Sequence, residues 1–417
     1  MNPLIQLKKA ALAFLVPLVC FGILPKAQAV SPAPDGGYPG GNTAEGQAAL
    51  LSLTTGGFNT AVGYLSLRSN TTNSFNTAVG AGALFLNTAD ENTATGTGAL
   101  LSNTIGTLNT ANGAFALQSN ITGFQNTANG AQALYLNTIG SFNTANGISA
   151  LFNNTTGGDN TANGGGALYL NTTGSFNTAD GFEALHNNNG DSNTANGYHA
   201  LYSNVGGGNN TGIGDGALFN NTTGNDNVAL GMNAGVNATT GSNNVYIGAG
   251  MAGIAAESNA CYIASIFSQT SANGIPVLIN SDNKLGTATS SKRFKENIKP
   301  MDKTSEDILA LQPVTFRYKK DFDSTRTAQF GLVAEDVAKV NPDLIVRDKE
   351  GKPYTVRYEA VNAMLLNEFL KEHKKTEKLE ATVASLIATV KEQAAQIQRV
   401  SAQLGASRPA PQVVNNP

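Results

Sequence analysis

The chain has 417 residues, about twice an average domain, so two or three structural units are expected. Glycine, at 46 residues, is far below the one third that collagen needs, and two cysteines exclude a disulfide scaffold. The net charge of −3 gives no support for nucleic-acid binding, and it hides a split: residues 42–283 carry one base (Arg68) and 11 acids, a net of −10, whereas residues 284–417 carry 22 bases and 17 acids, a net of +5.

At the N-terminus, Lys8 and Lys9 precede an apolar run from Ala10 to Leu24 and then Ala27-Gln28-Ala29. A positive start, a short apolar stretch and an A-x-A site describe a secretory signal peptide over residues 1–29. The run is short of the ~20 residues that a membrane span needs. Cys20 lies inside it, and Val19 before it does not suit lipidation. Removal after Ala29 leaves Cys261 as the sole cysteine, so no internal disulfide is expected. No later segment is apolar and long enough to anchor the exported chain as a transmembrane helix. Residues 30–41 (VSPAPDGGYPGG) read as a flexible linker.

A repeat dominates residues 42–256. The motif N-T-A-x-G begins at Asn42, Asn59, Asn76, Asn92, Asn109, Asn126, Asn143, Asn160, Asn177 and Asn193, and continues loosened at Asn210, Asn227 and Asn244. The step is 17 residues, twice 16. A short fixed period means a solenoid, in which each unit buries its apolar face only by stacking on its neighbours. Four residues after the motif glycine stands a leucine, from Leu50 through Leu84 and Leu134 to Leu218, usually after an alanine such as Ala83 or Ala133. One leucine per turn makes a thin dry stripe, and alanine lets layers come close. The glycines (Gly63, Gly80, Gly113) suit tight corners. The asparagines should stack as hydrogen-bonded ladders. Units this rich in Asn, Thr and Gly cannot supply helices. The reading is therefore a parallel β-solenoid or β-roll of thirteen turns, roughly 60 Å long at ~4.8 Å per turn.

A core this small is marginal alone, and outward residues such as Phe75, Phe124, Phe142 and Phe176 would be covered by association of copies. The repeat resembles the heads of trimeric autotransporter adhesins, built from N-[ST]-x-x-G-x-x-A turns. The resemblance implies a homotrimer with a cell-surface carbohydrate or protein as ligand. That family's turns are nearer 14 residues, and its membrane-anchoring barrel has no counterpart here. Sequons such as Asn70-Thr71-Thr72 and Asn171-Thr172-Thr173 arise from the Asn/Thr repeat itself and read as incidental. The threonine column (Thr60, Thr77, Thr110, Thr127, Thr144) reads as strand-forming surface in preference to a ladder for ice or sugar. His186 and His199 lack partners at metal-ligand spacing and read as surface histidines. No metal or cofactor is expected.

Residues 257–289 form a transition in which CYIASIF and IPVLIN read as short strands around the turn Ser271-Ala272-Asn273-Gly274. Then follow S-S-K-R-F-K-E-N-I from Ser290, LQPVTFRYK (Leu311 to Lys319), FGLVAEDVAKVNPDLIV (Phe330 to Val346) and VRYEAVNAMLLNEFLKE (Val356 to Glu372). These segments resemble, in order, the C-terminal intramolecular chaperone of phage endosialidases and tailspikes, a self-cleaving serine peptidase family. That family opens with S-D-x-R-L-K-x-N-I. The resemblance implies a Ser–Lys dyad with the lysine five residues after the serine, a spacing that Ser290 and Lys295 have and Ser291 lacks. It implies cleavage of Thr289–Ser290 in a single turnover. Chemistry agrees with the pairing, because a serine hydroxyl needs a base and a desolvated lysine can be one. Ser291 stands where the family usually has Asp.

Within residues 290–358 a small α+β module is expected. Thr304 and Asp307 suggest a capping box. Val314, Phe316 and Tyr318 alternate like a strand. A helix over Gly331 to Val340 ends at Asn341-Pro342, and Leu344 to Arg347 with Tyr354 to Tyr358 suggest a hairpin. Residues 359–404 read as a helix with a heptad seam: Leu379, Val383, Leu386, Val390, Ile397, Val400 and Leu404, with Gln393 at the skipped place. Such a/d residues lean towards a dimer, but Val400 and Gln393 at d blur that rule. Both family resemblances imply a trimer. Residues 405–417 read as a disordered tail. The expected whole is mainly β: an exported trimeric fibre whose C-terminal module directs assembly and cuts itself free. The other readings are an uncleaved structural fibre and an enzyme acting on polysaccharide. Against the enzyme, Glu45, Asp90, Glu91, Asp159, Asp180 and Glu183 are scattered along the repeat.

Overall fold

The computed structural model describes residues 38–407. The expected signal peptide over 1–29, most of the linker and the end of the tail lie outside them. The chain divides into two units, Met1–Thr270 and Ser271–Pro417.

The first unit is the parallel β-solenoid that the repeat predicts. Each turn contributes one three-residue strand, from β1 (Thr43–Glu45) through β2 (Thr60–Val62) to β13 (Val245–Ile247), and every strand pairs in register with the next. In each, the first and third residues of T-A-x face outward and the alanine points in. Ala61 and its equivalents are fully buried beside Leu67 to Leu218, so the core of one turn is two alanines and one leucine. The sheet gains a fourteenth strand, β14 (Cys261–Ile263), and so runs past residue 256, where the motif letters fade. Ladder bonds use the backbone and survive that loss of letters.

The remaining core positions are polar. Each motif asparagine is buried and ties two turns together. Asn143 is fully buried: its N–H and its amide both donate to Asn126 Oδ1, at 3.0 and 3.1 Å, and its amide also reaches the Gly157 carbonyl at 2.9 Å. Its own Oδ1 accepts the same pair from Asn160, each at 3.1 Å. A second ladder runs beside it. Asn103, Asn120, Asn137, Asn154 and Asn171 are fully buried, each donating to the Oδ1 one turn back and to a carbonyl of its own corner. This settles the sequons: Asn70 and Asn171 are core asparagines. The ladder ends where Ala238 replaces the next rung, and Asn221 Oδ1 is left without a partner.

The two 16-residue turns keep the sheet in register, Thr77 opposite Thr93 and Thr178 opposite Thr194. The missing residue comes out of the corner after the second asparagine. There Asn87 and Asn188 bond a carbonyl two residues on, where Asn120 reaches three.

Backbone strain is spread evenly. The core leucines themselves are left-handed, with φ between 47° and 54°. Such a conformation costs an L-residue about 1–2 kcal/mol, and burial of the leucine offsets it. The motif glycine has no such latitude. Gly130 has φ 132°, and a Cβ there would lie 2.5 Å from the carbonyl oxygen of Gly147 in the next turn.

The residue after the core leucine builds an aromatic ladder on the surface. Tyr135, Phe152, Tyr169, His186, Tyr202 and Phe219 stack in unbroken order, half-buried, with centroids 5.0–5.2 Å apart. His186 is thus a rung of the stack and not a free surface histidine. His199 Nε2 lies 2.9 Å from Glu183 Oε2.

Both ends of the solenoid are closed. At the start, the last four linker residues are ordered: Pro39–Gly41 make a helical turn, and the Tyr38 hydroxyl donates to the Ala44 carbonyl at 3.1 Å. The expected flexible linker therefore stops short of Tyr38. At the far end the buried Tyr246 takes the place of the strand alanine and stacks on Tyr262 at 5.7 Å. Its ring needs the space of a core leucine, and at that place stands Gly235, where a Cβ would come 2.8 Å from the ring. The Tyr262 hydroxyl donates to the Glu257 carboxylate, which together with burial pushes the phenol up to about 12. That tie holds below the ordinary tyrosine value and is lost as pH rises through about 12. Tyr246→Ala is expected to cost about 3–5 kcal/mol by emptying a buried aromatic site. Adding Gly235→Leu, the residue of every earlier turn, should recover most of that loss. Urea denaturation of both variants measures it, and absence of recovery would refute the exchange of volume.

The second unit is small elements around a small core. A hairpin of β15 (Val277–Ile279) and β16 (Leu285–Thr287) has every side chain exposed. β17 (Val314–Phe316) pairs with β18 (Gln329–Gly331), and β19 (Ile345–Arg347) with β20 (Pro353–Val356), both antiparallel. Helix α1 (Ala334–Val340) starts later than expected, because Gly331 is taken up by β18. Helix α2 (Tyr358–Ala406) is 49 residues long, about 70 Å at 1.5 Å per residue. The buried core is Val337, Leu344, Ile345, Val356 and Met364. No helix among the described residues is long and apolar enough to cross a membrane.

Candidate functional site

Ser290 follows β16 after two residues and precedes a single turn of 3-10 helix, Lys292–Phe294. Ser291 enters that turn in extended conformation, and the Phe294 N–H bonds the Ser291 carbonyl at 3.0 Å. Lys295 leaves it extended, its N–H on the Lys292 carbonyl at 3.1 Å. One turn therefore folds the chain back by the five residues that separate the pair. Lys295 Nζ lies 3.4 Å from Ser290 Oγ, donating to it. The turn is lined by cations, and the Arg293 guanidinium sits over the Phe294 ring at 4.5 Å. Ser290, Lys295 and Thr289 are all exposed in the single chain.

Further along the chain lies a polar clamp that the sequence does not announce. Asp302–Ala310 forms a 3-10 helix without a side-chain cap, so the expected capping box is absent. The Asp307 carboxylate instead accepts from the Asn341 amide at 2.8 Å. Ser305 is the buried residue of this helix. Its hydroxyl donates to the Glu368 carboxylate of α2 and accepts from the Asn367 amide at 2.7 Å. Lys371 closes the cluster, 2.7 Å from Glu368 and 3.4 Å from Glu306. The Lys371 ammonium and the Ser305 hydroxyl hold the Glu368 carboxyl below its usual range, and Glu368 in turn raises Lys371. Lys371 is thereby kept charged, so its nearness to Ser305 makes an anchor and not a second dyad.

The signal available in the sequence was weak, since the pair Ser305 and Glu368 is 63 residues apart. Ser305→Ala removes the hydroxyl that Glu368 and Asn367 share, leaving Glu368 to Lys371 alone, and is expected to loosen the 3-10 helix by about 1–3 kcal/mol. Hydrogen exchange should rise over residues 302–310 while α2 is unchanged. Because the carboxyl is depressed, the clamp is present above the ordinary carboxylate range and is lost as pH falls through the lowered value.

No cluster of three metal-ligating side chains occurs among the described residues. The solenoid acids have local duties: Asp90 and Asp191 each accept a backbone N–H of the preceding turn at 2.7 Å, from Ser74 and Ser175.

Residues 290–346 match the family model described as the chaperone of endosialidase. The match begins on Ser290 itself. No curated protein matches the chain, and neither does any solved structure. The fold and the match together define the class: a solenoid fibre followed by an endosialidase-type chaperone region.

Proposed function

We propose that the chain is an exported homotrimeric fibre, adhesin-like, whose region from Ser290 directs assembly and then cuts Thr289–Ser290. The observation that carries the reading is the match from Ser290 in a chain whose preceding part is a solenoid of near-identical turns. Slipping such turns by one costs little locally, so copies have no inherent alignment. A module that gathers the C-terminal ends raises their effective concentration and sets where pairing starts.

The second unit has the surface for this. Its seam residues Leu379, Val383, Leu386, Val390, Ile397, Val400 and Leu404 stand 45–66% exposed on α2. Its five-residue core is too small for a stable domain of this length, and an isolated hairpin such as β15–β16 is marginal in water. Three copies would cover all of these faces.

Cleavage would follow from the same association. Ser290 Oγ attacks the Thr289 carbonyl carbon, Lys295 takes the hydroxyl proton and returns it to the departing Ser290 nitrogen, and water hydrolyses the ester. A lysine base works in a water-poor site, and here neighbouring copies would supply the burial. The apolar run ahead of Ala29 supports export. One observation favours the uncleaved fibre: Ser291 replaces the family's Asp. Denaturing mass spectrometry of the full chain decides, since cleavage yields a fragment beginning at Ser290 that Ser290→Ala abolishes. Intact chains from both proteins, with no fragment beginning at position 290, would leave the uncleaved fibre.

A further inference from the structure

The third residue of each solenoid strand forms a column on the outer face of the sheet. It opens with Glu45, Val62 and Val79 and is then polar over seven turns: Thr95, Asn112, Asn129, Asn146, Asn163, Asp180 and Asn196. In the last four strands it becomes Ile213, Leu230, Ile247 and Ile263, in register one above another. The first-residue column changes one strand later, from Thr211 to Val228, Val245 and Cys261. The four aliphatic residues of the third column are 38–49% exposed. Branched apolar side chains gathered in one face of a charge-poor fibre mark a contact surface.

We infer that this end of the sheet is where copies of the chain pack against one another in the fibre. The inference rests on the homotrimeric reading and adds the surface that the trimer uses. The occupant is argued from charge and spacing. In a three-fold fibre a column that lies at the axis meets its own images at the same height, so any charge in it meets like charges. Glu45 and Asp180 stand in this column upstream, and between Ile213 and Ile263 it has none. A second copy also matches the strand spacing rung for rung. The polar border adds a function. A slip by one turn would set the Asn196 amide against the apolar column and expose one aliphatic rung, so this stretch penalises misregister where the uniform turns cannot.

Cys261 provides a probe within the face, because it is exposed and, with Cys20→Ser, is the sole thiol of the full chain. Treatment with a short tris-maleimide is expected to join Cys261 into covalent trimers. The variant Ile213→Asn/Leu230→Asn/Ile247→Asn should keep its circular dichroism, since asparagine occupies this column in the turns upstream. It should lower the cross-linking yield by about tenfold. Light scattering on the same samples separates the two levels. A trimer whose Cys261 does not cross-link, or cross-links equally in the variant, overturns the assigned face and leaves the trimer standing. A monomer overturns both.

Discussion

Asn143→Ala should cost the solenoid about 3–6 kcal/mol, although it removes only a small polar side chain. The substitution strands the Asn160 N–H and one Asn160 amide hydrogen within the dry interior, and takes from the Gly157 carbonyl one of its two donors, the other being Asn154. Each buried group left unpaired costs about 1–3 kcal/mol. Asn143→Asp should be worse, because it places an acceptor against the Asn126 and Gly157 oxygens and confines a charge. In an array coupled only to nearest neighbours, such a rung becomes a break between two folding blocks. Urea denaturation is therefore expected to split into two steps or to shift to much lower denaturant. Thr144→Ala, one residue away on the outer face, should stay within about 0.5 kcal/mol. Equal effects at both positions would mean that the ladder is not the core.

Lys295→Met is expected to slow the cleavage of Thr289–Ser290 by about 10²–10⁴, the usual contribution of a positioned base. Lys295→Arg should not restore it, because a guanidinium does not give up its proton. The geometry needs no rearrangement beyond one helical turn, since Nζ already lies 3.4 Å from Oγ. What the single chain lacks is exclusion of water at exposed Ser290 and Lys295. Substitutions in the α2 seam far from the dyad, Leu386→Asp with Val390→Asp, are therefore expected to reduce cleavage as well, in step with loss of the trimer. Mass spectrometry of the fragment against time, beside light scattering, measures both. Full-rate cleavage by a monomer would separate the chemistry from assembly.

The solenoid was legible because its cause is local and repeated. A period of 17 residues, an inward alanine and one leucine per turn leave few ways to stack. The pairing of Ser290 with Lys295 came from the family resemblance, and one short turn brings the two side chains to 3.4 Å. The second asparagine ladder carried an equally periodic signal, eleven residues after each motif asparagine, but its sequons drew the eye to the surface. Burial of Asn70 and Asn171 follows only once the corner is folded and their amides find carbonyls inside.

The sequence by itself determined the parallel stack, its register and the pairing of Ser290 with Lys295, since each depends on neighbours within one turn of chain. Only the tertiary structure decided that the second asparagine column faces inward, how Gly235 makes room for Tyr246, and that Ser305 is clamped by Glu368, 63 residues away. Those outcomes depend on volumes and hydrogen-bond partners that meet in space, and no spacing along the chain encodes such a meeting.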